Sequence, residues 1–218
     1  REMVEVIHHN GALAGLQLFY GGLIPGVGAT TPLEPGKGWI PGTVSWGPTG
    51  KYPIGNPQPG VLTTEDYDQL VEDFAQAARR AKEAGYDGVE IIGSAGYLLS
   101  TFLVERTNQR TDQWGGPFEN RMRFPVEVVR RVREAVGKDF IVIFRIAAMD
   151  MLEGGMAWDE VVTLAKAIEA VGATIISTHF CWHESFVPTI ATMVPRAAFA
   201  QVTGRLRKEV SVPVITSN

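Results

Sequence analysis

Cysteine is almost missing from this chain: Cys181 stands alone among 218 residues. Without a second thiol these residues can build neither an internal disulfide framework nor a Cys-x-x-Cys metal or redox pair. A reducing, cytoplasmic setting is the expectation. Long apolar runs are missing as well, and none approaches the roughly 20 residues a membrane span requires. Nor is there an excess of positive charge. Twenty Lys and Arg against 24 Asp and Glu give a net charge of −4, which leaves no basic footprint for a nucleic-acid partner. What is present is 45% hydrophobic content, enough to bury a core as one domain.

That apolar content is distributed as a loose repeat. A helix ends at glycine or a polar residue, and a short, apolar strand follows. HHNG precedes ALAGLQLFY, EAGYDG precedes VEIIG, EAVGKD precedes FIVIFRI, EAVGA precedes TIISTHF, and RKEVS precedes VPVITSN. Near-continuous apolar strands belong to parallel sheets covered on both faces, and alternation with helices predicts βαβ units. Thr63, with Asp66 three positions on, predicts an N-cap. Tyr67, Leu70, Val71, Phe74, Ala77, Ala78 and Ala81 then share one helical face, and Gly85 stops it. Asn120 to Val136 predicts another helix, interrupted at Pro125. Asp159 to Val171 predicts a third. Residues 1–10 read as the last turns of a helix, and any targeting signal would lie upstream of Arg1.

Five strands are five-eighths of a (β/α)₈ barrel, a fold of about 250 residues. The expectation is α/β: a partial TIM barrel with about five of its eight strands. A small open α/β sheet is the alternative. Between Gly21 and Gly60 the chain is crowded with proline and glycine and has no periodicity. Loops that long are usually functional or disordered, so this one, with Trp39, Trp46 and Tyr52, is read either as a lid or as a surface excursion.

Barrel chemistry collects beyond the carboxyl ends of the strands. Those positions here hold Gln17 and Tyr20, Ser94 and Tyr97, Arg145, then Thr178, His179 and His183, then Thr216 and Asn218. The set is rich in donors and poor in carboxylates, with Glu90 and Asp150 the nearest acids, and it suits a planar, oxygen-bearing ligand better than a metal. His179 and His183 have a zinc-like spacing only if helical, and they fall at a strand end. No lysine stands at a strand end for Schiff-base chemistry. Ser94 lacks the G-x-S-x-G elbow of hydrolases. Cys181 reads as a buried, inert thiol. Arg145, after FIVIF, is either a core ion-pair partner of Glu90 or a cation held against an anionic cofactor edge. Gln17 can donate to and accept from a pyrimidine-like ring.

The segments GYDGVEIIGSAGYL, RTNQRTDQWGGPFENRMRF, WHESFVPTIATMVPRAAF and VPVITSN resemble the old yellow enzyme family of FMN-dependent barrels, and within it most closely the bacterial-type 2,4-dienoyl-CoA reductases. The resemblance runs from about Leu16 to Asn218. It implies residues 1–218 as the central fragment of one FMN-binding barrel domain, incomplete at both ends. It implies FMN contacts from Gln17 and Arg145, proton donation by Tyr97 with His183 beside it, and Arg106 as a contact to the anionic end of an unsaturated acyl-CoA or related enoyl substrate. NADH or NADPH would be the reductant. A 4Fe-4S cluster and an FAD-binding domain would belong to longer members. The chain also departs from the family pattern. Ile92 and Ala95 stand where many members grip a carbonyl oxygen with histidine or asparagine, which fits the dienoyl-CoA branch. The FYGG run is similar to related amine dehydrogenases, so that activity stays an alternative, as does a non-catalytic barrel scaffold.

Overall fold

The computed structural model describes residues 1–22, 46–47, 60–183, 185–187 and 192–216. Five strands form one parallel sheet: β1 (Gly15–Leu18), β4 (Gly88–Gly93), β5 (Ile141–Met149), β6 (Ile175–Phe180) and β7 (Val214–Ile215), each hydrogen-bonded to the next in chain order. That sequential order is how a barrel wall is wound. Two-residue strands β2 (Trp46–Gly47) and β3 (Gly60–Val61) pair with each other. Residues 23–45 and 48–59 of the segment read as a lid or a surface excursion lie outside the described residues.

The helices follow the sequence pattern closely. The N-terminal run is α1 (Glu2–His9), held to the sheet where Asp87 accepts from the Ala14 N–H at 2.7 Å and meets His8 at 2.8 Å. α2 (Thr64–Glu83) opens with a complete capping box, Thr63 and Asp66 bonding each other's backbone. Ala75, rather than Ala77, completes its buried face. A short α3 (Leu98–Leu103) follows β4. The next helix is two pieces, α4 (Phe118–Arg121) and α5 (Arg123–Val136). The break falls at Met122, not Pro125, because Pro125 occupies the first turn of α5, where its missing N–H has no intrahelical acceptor. α6 (Trp158–Ala170) and α7 (Ala200–Leu206) complete the set. No helix among the described residues is long and apolar enough to cross a membrane.

The two faces of the sheet differ. Val89 and Ile91 of β4, Val142, Phe144 and Ile146 of β5 and Ile176 of β6 lie under the helices and are fully buried. Alternation along each strand sends Gln17, Glu90, Ile143, Arg145, Ser177 and His179 to the opposite, inner face. The register confirms the alignment: Gln17 opposes Glu90, Glu90 opposes Ile143, and Arg145 opposes Ser177.

Candidate active site

Four polar side chains cross the inner face from strand to strand. Gln17 Nε2 donates to Glu90 Oε2 at 2.5 Å, Glu90 Oε1 lies 3.8 Å from Arg145, and the Arg145 guanidinium reaches His179 Nδ1 at 3.1 Å. The His179 nitrogen facing a guanidinium must be the acceptor, so the ring is neutral with its proton on Nε2. Burial, reinforced by Arg145 and then His183, holds His179 down at about 4. The ion-pair reading of Arg145 is therefore met, with Glu90 as its partner, and the guanidinium stands on the inner face.

This row matches the demands of a flavin ring edge. Gln17 gives one of its two amide N–H groups to Glu90, leaving its carbonyl oxygen to accept from a ring N–H and its second N–H to donate, while Arg145 supplies a fixed positive charge for an electron-rich edge. The residues present fit the cofactor that the motifs imply.

Beside the row stands a second group. Tyr97 is the residue before α3, and its hydroxyl lies 3.4 Å from His183 Nε2, with the rings 5.0 Å apart and edge to face. His183 Nδ1 bonds the Ala95 carbonyl. That carbonyl can only accept, so Nδ1 carries the proton and Nε2 is left as acceptor for the Tyr97 hydroxyl. The phenol proton thus sits between the two rings. Phe19 packs on the other side of Tyr97, centroids 5.0 Å apart.

The backbone makes this approach close. A Cβ on Gly22 would fall 2.7 Å from the Leu98 Cα, and Leu98 N–H donates to the Tyr20 carbonyl at 3.0 Å. Glycine at positive φ is therefore required where the β1 loop meets the start of α3.

The structure brings Gln17 and Arg145 together through Glu90, and Tyr97 together with His183. Arg106 is not in either group: it is half-buried on the turn after α3, beside Gly154 of the β5–α6 loop. Tyr20 turns away from the mouth into the main core beneath α2, where burial and the carboxylates of Asp66 and Asp73 keep its hydroxyl protonated. Thr178 faces the helices and bonds Thr203 at 2.9 Å. Asn218 and Glu184 lie outside the described residues. Phe19 was missed from the sequence, although it stands two residues after Gln17 and so shares its face.

A family model described as NADH:flavin oxidoreductase / NADH oxidase matches residues 1–218. The chain is 39% identical to a metal reductase of Desulforamulus reducens over its full 218 residues, covering 31% of that protein. It is 35% identical to an NADH oxidase of Thermoanaerobacter brockii, with 99% of the chain and 32% of the relative aligned. The chain thus spans about a third of the length of these relatives. Among solved structures it is similar to 2-naphthoyl-CoA reductase in complex with 2-naphthoyl-CoA, at TM-score 0.86 and 28% identity over 99% of this chain and 33% of that one. It is also similar to histamine dehydrogenase from Rhizobium sp. 4-9, at TM-score 0.78 and 28% identity over 98% of this chain and 30% of that one. The five-stranded sheet is the wall of a partial TIM barrel.

Proposed function

Because the chain belongs to the NADH:flavin oxidoreductase / NADH oxidase family, we propose that it binds FMN and reduces a conjugated carbon–carbon double bond, with a 2,4-dienoyl-CoA-like thioester as substrate class. The observation that carries this reading is the Tyr97 hydroxyl set 3.4 Å from His183 Nε2 while His183 Nδ1 is tied to Ala95. The similar reductase structure named for a conjugated aryl-CoA supports the substrate class.

Gln17 and Arg145 would hold the cofactor ring from the inner face. When bound, FMN supplies the hydride and is recharged by NADH or NADPH. Tyr97 Oη then delivers its proton to the carbanionic carbon of the substrate, a transfer worth about 10²–10⁴ in rate when a positioned side chain performs it. A phenol suits the task because it holds its proton at neutral pH and gives it up to a strongly basic carbon. His183 Nε2 orients the hydroxyl beforehand. Afterwards its exposed ring takes a proton from water and returns it to Tyr97 Oη. Arg106 is proposed as a contact for the anionic end of the substrate. The same reading assigns the 4Fe-4S cluster and FAD of longer members to sequence other than these 218 residues, which hold one cysteine.

One observation favours a second reading, amine oxidation. Phe19 is 41% exposed beside Tyr97, and two aromatic rings at a mouth suit an alkylammonium. A relative named N,N-dimethylglycine/sarcosine dehydrogenase, from Chromohalobacter salexigens, is 36% identical over 71% of the chain. Anaerobic mixing of the full-length protein separates the two. Under the reductase reading, the flavin is bleached by NADH or NADPH and its colour returns on adding a conjugated enoyl-CoA. Bleaching by an alkylamine without nicotinamide, with no recovery on enoyl-CoA, would establish the amine reading instead.

A further inference from the structure

Asp150 follows the last residue of β5 and is 3% exposed. Four donors converge on it. The Trp182 indole N–H bonds Oδ1 at 2.6 Å and the Met156 N–H bonds Oδ2 at 2.8 Å. The Asp150 carbonyl accepts from the Trp182 N–H at 3.1 Å and from the Ser185 hydroxyl at 2.8 Å. Three of the four donors belong to Trp182 and Ser185, which flank His183.

Trp182 also reaches the loop that carries Tyr97. A Cβ on Gly96 would come within 3.0 Å of the indole, and the His183 N–H donates to the Ala95 carbonyl at 3.3 Å. The indole is therefore a strut between the ends of β4, β5 and β6. Its surroundings need one. Ala95, Met151 and Cys181, each within two residues of one of those strand ends, have φ of 66°, 55° and 68°. Non-glycine residues in that region are strained and persist only where the surroundings hold them. Burial raises the Asp150 carboxyl to about 6, which still leaves it ionised at neutral pH as an acceptor for both N–H groups.

We infer that Asp150 and Trp182 are positioning residues that keep His183 Nε2 on the Tyr97 hydroxyl, acting on proton delivery without touching the substrate. The inference rests on the assignment of Tyr97 and His183 made above. It concerns chemistry rather than stability, so the test must separate the two.

The experiment is a double-mutant cycle on the full-length, flavin-loaded protein, reading NAD(P)H-driven flavin reduction and enoyl-CoA-driven flavin reoxidation as separate steps. An Asn at 150 keeps one acceptor oxygen and turns an NH₂ toward either the indole or the Met156 N–H. D150N should slow reoxidation about 10–100-fold, the scale of a misplaced catalytic group, at unchanged KM and unchanged flavin reduction. In a Y97F background it should add less than about twofold, because it acts through the group already removed. W182F, which loses the N–H that bonds Asp150 together with part of the ring system against Gly96, should also slow reoxidation without slowing flavin reduction and carries the test if D150N does not fold. Equal slowing by D150N in both backgrounds, or no slowing by either variant, overturns the positioning role. Y97F without effect on reoxidation would instead overturn the assignment of Tyr97 itself.

Discussion

Asp150, buried, and His179, half-buried, stand at the ends of neighbouring strands and bias stability against pH in opposite senses. Asp150 is raised from 3.8 to about 6 by burial, so the folded protein binds more protons than the unfolded chain in that window. Its contribution is complete below about 3.8 and lost as pH rises through 6. His179 is depressed from 6.5 to about 4, by burial first and Arg145 second. Its contribution is complete above 6.5 and lost as pH falls through 4. Each amounts to about 3 kcal/mol by linkage, and over pH 4–6 they nearly cancel. Denaturant melts at several pH values check this. Relative to wild type, D150N should gain stability with rising pH across that window, and H179Q should lose it. Parallel curves for all three proteins would refute the opposition. At this scale the sequence conveyed one side of each pair. Their places at strand ends brought Gln17 and Arg145 to one mouth and offered Glu90 as an ion-pair partner of Arg145, but the Gln17–Glu90 bond and the Asp150–Trp182 bond depend on strand register and loop closure. No spacing in the chain encodes either.

Helices and strands were legible where one local rule dominates. The capping box at Thr63, the glycine stops after α2 and α6 and the apolar face of α2 are all short-range patterns. The join at Met122 was not, because Pro125 is an interruption only inside a helix and the sequence does not say that α5 begins at Arg123. Two substitutions compare a local device with a tertiary one. Thr63→Ala removes the side-chain half of the cap and should cost about 1 kcal/mol. Gly93→Ala places a Cβ 2.1 Å from the Phe144 ring. That ring is fully buried between sheet and helices, so it must move, at about 1–3 kcal/mol. Chemical denaturation of the two variants should rank them in that order; a Gly93→Ala protein as stable as wild type would show that Phe144 has room to shift.

Across the whole molecule, five parallel strands in chain order carry helices on one face and a polar row on the other. The repeat made the strand number and fold readable, since each βα unit announces itself by its own apolar run. The pairing of Tyr97 with His183 came only from the family resemblance and not from any spacing, because that contact spans 86 residues and depends on two loops meeting. The functional account turns on that contact. Its most direct test is the rate at which a conjugated enoyl-CoA reoxidises the reduced flavin of full-length Y97F, with NAD(P)H-driven reduction of the same flavin as internal reference. The account predicts a loss of about 10²–10⁴ in reoxidation and an unchanged reduction rate. Equal losses in both steps, or none in either, would contradict it.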